Sequence, residues 1–254
     1  MEEPRVASGP AGAPAAGKGV RGASTLAGVI FDFDGVLADS EPLHLRAYQD
    51  VLARHDLSLS APDYYDRYLG FDDVGVFRTV WRDRGRELDE SALAELIRVK
   101  GERFEVLAGQ GEGLFPGAAA CIRRVAAEAP IAIASGALAP EIEMVLAAAD
   151  LRRHFRAVVA SGDTPRSKPA PDPYLRALEL LRPHIAASAL DRGGCVVAVE
   201  DSMWGIESAL AAGLRCVGVA QTYAASRLGI AQVVVPTIAD VTPETLRAAC
   251  VADV

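Results

Sequence analysis

Short apolar runs recur along the chain, and between them lie segments in which apolar residues stand three or four positions apart. The second spacing predicts helices, whereas a short continuous apolar run fits a strand buried on both faces. The runs occupy residues 27–33, 131–134, 157–160, 195–199, 216–220 and 233–235. Strands that alternate with helices join through right-handed crossovers. The pattern therefore predicts an α/β fold with a doubly wound, Rossmann-like parallel sheet.

One long stretch interrupts this alternation directly after the first predicted strand. It contains no strand-like run, and helical spacing recurs around residues 44–55, 73–84 and 91–107. We expect a small helical cap domain at residues 43–113, inserted into a core formed by residues 26–42 and 114–254. Ligands of such sheets bind at the carboxyl ends of the strands, so an insertion that leaves the first strand there lies over the site.

Composition and charge narrow the class of protein. The chain has 254 residues, half of them hydrophobic, and a formal net charge of −8. That charge argues against nucleic acid and anionic membranes as partners, since both need a basic surface. No apolar run approaches the roughly 20 residues that span a bilayer. Residues 1–25 are mostly Ala, Gly, Pro and Ser, which predicts a disordered tail rather than a signal peptide. We expect a cytoplasmic protein, either a monomer or a weak homodimer.

The cysteine pattern argues against a zinc site, because the four residues are widely spaced and form no Cys-x-x-Cys pair. Two of them open strand-like runs. We therefore expect buried free thiols, as in a reducing compartment. The four residues are Cys121, Cys195, Cys216 and Cys250.

Two aspartates, Asp32 and Asp34, stand at the end of the first apolar run, and Gly35 follows them. Two carboxylates so close together repel each other unless a cation lies between them or one is protonated. Alone, the pair also fits a strand that ends in solvated acids and a turn. Its significance comes from three further polar groups that follow later predicted strands.

These groups are a hydroxyl, an ammonium and an acidic pair. Ser135 and Gly136 follow the second strand, where a hydroxyl and backbone N–H groups can hold a phosphate oxygen. Lys168 lies in a proline-rich loop that stiffens the backbone before a helix. Glu200 and Asp201 follow the fourth strand. Taken singly, the Ser-Gly pair fits a turn, the lysine fits a solvated charge and the acidic pair fits a helix N-cap. The carboxyl ends of parallel strands share one edge, so we expect a single site.

The predicted donor set suits a particular cation. Several carboxylate oxygens with one ammonium group favour Mg²⁺, a hard ion that keeps waters and accepts substrate oxygens as further ligands. A site of this kind can transfer a phosphoryl group, so the expected partner is a small phosphorylated metabolite.

The ordered motifs resemble those of the haloacid dehalogenase superfamily. Within it the chain is similar to the branch with a small helical cap, which includes proteins like β-phosphoglucomutase and phosphoglycolate phosphatase. The likeness extends from Gly28 to about Pro236. The matching motifs are Phe31-Asp-Phe-Asp-Gly-Val-Leu-Ala-Asp-Ser-Glu41, the short Ser135 motif, Lys168-Pro-Ala-Pro-Asp-Pro and Val199-Glu-Asp-Ser202.

The resemblance implies a Mg²⁺-dependent hydrolase that works through an aspartyl phosphate. Asp32 is implied as the nucleophile, and Asp34 as the acid that protonates the leaving alcohol and later activates water. Lys168, Ser135 and Gly136 are implied to bind the transferring group, and Lys168 also neutralises the nucleophile. The implied metal ligands are Asp32, the backbone carbonyl of Asp34, Asp201 and, directly or through water, Glu200.

Two departures from the mutases favour hydrolysis of a small monoester, such as a sugar phosphate or phosphoglycolate. Mutases of this type carry a cap arginine, in a Gly-Val-Ser-Arg stretch, that grips a second phosphate. Here that stretch is Gly70-Phe-Asp-Asp73. The loop after the motif-two serine is polar in the mutases and is Ala137-Leu-Ala139 here. A sugar phosphomutase is the first alternative, and a phosphoester-binding protein without turnover is the second.

Specificity is expected to lie in the cap. Glu41 is predicted to contact substrate, because Ser40, Glu41 and His44 match a Ser-Glu-x-x-His pattern of this branch. Trp81 and Tyr64 are predicted to belong to the cap core. The candidates to face the site are Glu41, His44, Asp72, Asp73, Arg78 and Lys100.

Overall fold

The computed structural model describes residues 25–68, 71–109, 113–191 and 193–252. The predicted N-terminal tail lies almost wholly outside these residues, as does Gly70 of the cap stretch. Within them, no helix is both long and apolar enough to span a membrane.

The described strands form one six-stranded parallel sheet with the order β3-β2-β1-β4-β5-β6. β1 pairs with β2 on one side and β4 on the other, so the order reverses direction at β1. In doubly wound sheets the ligand binds beside that reversal, at the carboxyl ends of the strands. The predicted Rossmann-like sheet is confirmed. The strands are β1 (Leu26–Phe31), β2 (Ile131–Ala134), β3 (Phe155–Val159), β4 (Cys195–Glu200), β5 (Arg215–Val219) and β6 (Val233–Val235).

Helices cover both faces of the sheet and also form the cap. One face packs against α5, α6 and α10, and the other against α7, α8 and α9. The helices are α1 (Glu41–Ala53), α2 (Ala61–Asp63), α3 (Asp73–Asp83), α4 (Glu90–Ala108), α5 (Ala118–Ala126), α6 (Ala139–Ala148), α7 (Asp172–Leu181), α8 (Ala187–Asp191), α9 (Met203–Ala211) and α10 (Pro243–Val251).

The cap has a hydrophobic cluster of its own. Buried residues of α1, α3 and α4 meet there with a π-helical turn at Tyr64–Tyr68. Trp81 and Tyr64 both lie in this cluster, as predicted. The inner ends of α1 and α4 also contribute Leu43 and Phe104 to the cluster beneath the sheet. The cap therefore packs on the core at the edge where β1 ends.

The cysteines are not all free thiols. Cys121 and Cys216 are free and buried, as predicted. Cys195 and Cys250 form a disulfide, with 5.9 Å between their Cα atoms, so the prediction is wrong for these two. The physical reason is packing, because α10 lies against β4 and brings together residues that are 55 positions apart. Neither cysteine has a local sequence signal for its partner.

Candidate active site

The turn after β1 positions the two aspartates. Asp32 follows the last strand residue, and its backbone N–H donates to the carbonyl of Val199 at 2.9 Å, which continues the pairing with β4. The chain then turns sharply at Gly35, where φ is +75°. A Cβ atom on Gly35 would also overlap the Asp201 carboxylate. Glycine is therefore required both by the backbone conformation and by the close approach of β4.

Lys168 joins two carboxylates that come from different strands. Its Nζ lies 2.9 Å from Asp32 Oδ1 and 2.6 Å from Glu200 Oε1. The ammonium also lies 5.0 Å from the centre of the Tyr174 ring. The peptide bond between Lys168 and Pro169 is cis. The loop before α7 thus places a positive charge between the ends of β1 and β4.

Glu200 is fully buried and held at both of its oxygens. Oε1 accepts from Lys168 and from the Tyr174 hydroxyl at 2.8 Å. Oε2 accepts from the backbone N–H groups of Asp201 at 3.1 Å and Ser202 at 3.3 Å. Gly205 leaves room for this carboxylate, since a Cβ there would collide with it. These hydrogen bonds hold the Glu200 carboxylate in place, with its negative charge beside Lys168.

An acidic cluster beside Lys168 could hold a metal ion. Carboxylate oxygens of Asp32, Glu200 and Asp201 all lie within 4.8 Å of one another, and all three residues are buried. Buried carboxylates at this separation repel each other, and Lys168 is one charge against three. Hard oxygen donors that converge in this way fit Mg²⁺. The donor set therefore agrees with the predicted cofactor.

The pKa values of the cluster respond first to burial and then to the neighbouring charges. Burial raises the pKa of Asp32 well above its usual range, and Glu200 adds to this shift while Lys168 opposes it. Burial, followed by Glu200, raises the pKa of Asp201 to about 7. Burial disfavours the charge on Lys168, but Asp32 and Glu200 outweigh it and raise the Lys168 pKa. A further cation would favour ionised carboxylates here.

Asp34 lies beside the cluster in a different environment. Its Oδ1 accepts a hydrogen bond from the Ser40 hydroxyl at 2.8 Å. Burial raises the pKa of Asp34, and the bond from Ser40 and the charge of Lys168 only partly offset the shift. A raised pKa favours the protonated carboxyl, which is the form that can give a proton to a leaving group.

Ser135 and Gly136 line a recess of about 350 Å³ together with Lys168. The Ser135 N–H extends the pairing of β2 with β3, and its hydroxyl accepts from the N–H of Ala137 at 3.0 Å. Sheet pairing thus holds the motif-two serine on the same side of the cluster as the lysine. The role of these residues in phosphate binding stays a prediction.

A cavity of about 530 Å³ lies between the cap and this edge of the sheet. Asp34 and Gly136 line it from the core. Five of the six cap candidates line it as well, and Arg78 does not, because it pairs with Glu90 at the surface. The five are Glu41, His44, Asp72, Asp73 and Lys100.

A second cavity of about 510 Å³ also reaches Asp34 and Glu41, on the side of Asp201. Its walls include four aromatic residues, Tyr65, Phe115, Trp204 and Tyr223. The acid that is predicted to protonate the leaving group therefore faces two spaces, both lined by acids, and among the described lining residues only the cavity beneath the cap contains a lysine.

Two site residues, Tyr174 and Thr222, were not singled out by the sequence, and Ser40 was named only within the Ser-Glu-x-x-His pattern. Tyr174 donates to Glu200, Ser40 donates to Asp34, and a hydrogen bond from Thr222 lowers the pKa of Asp201. Ser40 lies within the first motif, so its place beside Asp34 had a local signal. Tyr174 and Thr222 had none, since each reaches the site through the packing of a distant segment.

Comparisons with known proteins agree with this geometry. The chain matches the family model of haloacid dehalogenase-like hydrolases over residues 26–213. It is 33% identical to CbbY of Rhodobacter capsulatus over 210 residues, which cover 76% of this chain and 84% of that protein. It is 31% identical to hexitol phosphatase B of Escherichia coli K12 over 225 residues, covering 85% of this chain and 95% of the relative.

A solved structure is similar over nearly the same length. It is a CbbY variant from Rhodobacter sphaeroides in complex with xylulose 1,5-bisphosphate, with 26% identity and a TM-score of 0.67, covering 87% of this chain and 99% of that one. The chain belongs to the haloacid dehalogenase-like hydrolase family. It is a hydrolase that acts on phosphate monoesters.

Proposed function

We propose that the protein is a Mg²⁺-dependent phosphatase that hydrolyses a small phosphate monoester through an aspartyl phosphate. The observation that carries this proposal is the convergence on Lys168, whose ammonium contacts Asp32 after β1 and Glu200 at the end of β4. Motifs that are widely separated in the sequence supply a nucleophile, a charge partner and a phosphate recess at one edge.

In the first step, Asp32 attacks phosphorus and the bond from phosphorus to the leaving oxygen breaks. Asp34 gives its proton to that oxygen, and the raised pKa of Asp34 favours the required protonated form. In the second step, Asp34 takes a proton from water, which attacks the acyl phosphate and frees inorganic phosphate and Asp32. Lys168 and Ser135 hold the transferring group, and alignment with charge neutralisation supplies most of the rate.

The residues that would hold Mg²⁺ are Asp32 and Asp201, together with the backbone carbonyl of Asp34. Glu200 acts beside them as a buried charge partner, because both of its oxygens already accept protein hydrogen bonds. When bound, the ion supplies positive charge that lowers the pKa of the nucleophile and balances the phosphoryl oxygens.

Two classes of ester follow from the relatives. Hexitol phosphatase B is named for polyol phosphates, and the CbbY variant was solved with a sugar bisphosphate. We propose a sugar phosphate or a similarly small ester such as phosphoglycolate. A phosphomutase is disfavoured because an acid, Asp73, stands in the cap where a second phosphate would be gripped.

The test is release of inorganic phosphate from a panel of esters in the presence of Mg²⁺. Asp32→Asn should abolish release and the hydroxylamine-sensitive acyl phosphate. Asp66→Asn makes the same chemical change on the exposed cap turn, away from the site, and serves as the matched control. Retained turnover in Asp32→Asn would end the covalent mechanism. Isomerisation of a hexose 1-phosphate faster than phosphate release would select the mutase instead.

A further inference from the structure

The cavity beneath the cap is rich in acids and has one buried cation. Around Asp34 it is lined by Glu41, Asp72, Asp73 and Glu141, and Lys100 is the single Lys or Arg among the described lining residues. The substrate's leaving group must lie within reach of Asp34, so these side chains surround one of the two spaces that can receive it.

Lys100 is already neutralised within the cap. Its Nζ lies 2.8 Å from Asp73 Oδ1, and its side chain is only 5% exposed. It also lies 2.8 Å from Nδ1 of His44. An ammonium group can only donate, so this nitrogen of His44 must accept, and the ring is neutral. The rings of Tyr48 and Phe104 lie 4.9 and 5.5 Å from the ammonium.

Asp73 is held in this pairing by a second donor. The Tyr48 hydroxyl donates to the same oxygen, Asp73 Oδ1. Glu41 Oε2, which also lines the cavity, accepts from the Tyr64 hydroxyl at 2.6 Å. The cavity therefore offers carboxylate oxygens that can accept from hydroxyl groups, and its cation is occupied by a carboxylate of the protein itself.

A leaving group that carries a second anionic group would find no available cation among the described residues that line this cavity. It would have to displace Asp73 from Lys100 or lie against unpaired carboxylates, and like charges brought together at a binding site cost affinity. A neutral polyhydroxyl alcohol meets neither obstacle, because its hydroxyls can donate to the acids that line the walls.

We propose that Asp73 determines specificity by neutralising Lys100, so that the enzyme hydrolyses monophosphates of neutral polyhydroxyl alcohols and discriminates against esters that carry a second anionic group. This inference rests on the proposed phosphatase function. It keeps the monophosphates of neutral sugars and polyols as preferred substrates. It excludes both bisphosphates and phosphoglycolate as preferred substrates.

The first experiment uses the unmodified protein and two esters of nearly identical shape. Sorbitol 6-phosphate and 6-phosphogluconate differ at one end, where a neutral CH₂OH group is replaced by a carboxylate. We expect kcat/KM to favour the neutral ester by about tenfold or more. Equal values, or a preference for the acid, would overturn this inference and leave the phosphatase intact. Absence of phosphate release from every ester tested would instead contradict the proposed function.

The second experiment frees the cation. Asp73→Asn keeps a hydrogen-bond acceptor for Tyr48 and removes the charge that occupies Lys100. We expect the preference for sorbitol 6-phosphate to fall by about tenfold, chiefly through a lower KM for 6-phosphogluconate. The double variant Asp73→Asn with Lys100→Met should remove that gain, because no cation is then available to the second anion.

The matched control is Asp72→Asn, which removes the same charge from the adjacent residue of the same cavity. Asp72 accepts the N–H of Gly75 at 2.8 Å as the N-cap of α3, and asparagine caps equally well. We expect a much smaller change in the ester ratio than with Asp73→Asn. Equal shifts in the two variants would show a general charge effect and overturn the role of Asp73. No shift in either would place the leaving group in the second cavity, on the side of Asp201, which also contradicts the proposal.

Discussion

The acidic cluster of the core and the cap cavity have the same balance of charge and resolve it differently. Each sets one lysine among four carboxyl groups. In the core these belong to Asp32, Asp34, Glu200 and Asp201 around Lys168, and in the cap to Glu41, Asp72, Asp73 and Glu141 around Lys100. Three of the core carboxylates lie within 4.8 Å of one another. Among the described residues, the cap acids form no such group.

The difference shows what an acidic site needs in order to be stable. Crowded, buried carboxylates require a further cation, whereas separated carboxylates can be satisfied by neutral donors. Tyr48 and Tyr64 supply those donors in the cap. The core has a comparable hydroxyl in Tyr174, but it serves a carboxylate that Lys168 already contacts. The separation of the acids, and not their number, therefore distinguishes the two regions.

Removal of Mg²⁺ should have the largest effect on activity, and it should act only through the acidic cluster of the core. We expect chelation to lower kcat by about 10³-fold or more, because the excess negative charge at the cluster would then face the incoming phosphate. Phosphate release with EDTA, followed by Mg²⁺ addition, measures this. Full activity in EDTA would contradict it.

The same comparison can be made by calorimetric titration of Mg²⁺. Asp201→Asn and Asp73→Asn each remove one carboxylate, the first from the core cluster and the second from the cap cavity. Only Asp201→Asn should weaken binding. Equal loss in both variants would mean that the ion responds to net charge rather than to the cluster.

The two lysines should differ in their contribution to stability. Lys168→Met leaves Asp32 and Glu200, which are 12% and 0% exposed at their side chains, without their cation. We expect a loss of about 3–5 kcal/mol in the free energy of unfolding. Lys100→Met leaves Asp73, which is 29% exposed and keeps the bond from Tyr48, so about 1–2 kcal/mol is expected. Urea unfolding without Mg²⁺ measures both, and a larger loss for Lys100→Met would reverse the comparison.

The core site was more predictable from sequence than the cap cavity. Asp32, Ser135 and Asp201 each directly follow a strand, Glu200 is the last residue of β4, and parallel strands bring their carboxyl ends to one edge. The order of apolar runs was thus enough to bring them together. Lys168 was also found, because the prolines around it marked a stiff loop before a helix.

The cap contacts depended on packing that has no local signal. His44 and Lys100 are 56 residues apart and meet because α1 packs on α4. Asp73 was recognised from sequence as an acid in place of an arginine, but its pairing with Lys100 was not. The disulfide between Cys195 and Cys250 was missed for the same reason. Pairings between helices depend on which faces pack together, and periodicity alone does not specify that.

His44 should make the cap less stable on acidification, which is opposite in sign to the effect of the core carboxyls whose pKa values burial raises. Burial, followed by the charge of Lys100, lowers the pKa of His44 to about 4 from an ordinary value near 6.5. Between these values the unfolded chain binds the additional proton, so stability falls as the pH decreases from about 6.5 towards 4. His44→Asn keeps an acceptor near Nδ1 and does not titrate. We expect the wild type to lose about 2 kcal/mol more than this variant between pH 7 and pH 5.

Unfolding by urea at the two pH values measures this difference. The carboxyl groups whose pKa values burial raises, such as Glu41 and Glu141, act in the opposite direction but are present in both proteins. Their contribution therefore largely cancels in the comparison. Identical pH dependence in the two proteins would mean that His44 is not held neutral by Lys100.

Removal of single tyrosine hydroxyls should have the smallest effects on the free energy of unfolding. These variants test most directly whether the core acids and the cap acids are stabilised differently. Tyr174→Phe removes a donor from the fully buried Glu200 and keeps the ring beside Lys168, so we expect a loss of about 1.5 kcal/mol. Tyr64→Phe removes a donor from the half-buried Glu41, and about 0.5 kcal/mol is expected. Addition of Mg²⁺ should reduce the first loss, because the ion supplies charge beside Glu200, and should leave the second unchanged. If Mg²⁺ reduced both losses equally, the cap acids would also depend on the metal ion, and the distinction between the two sites would fail.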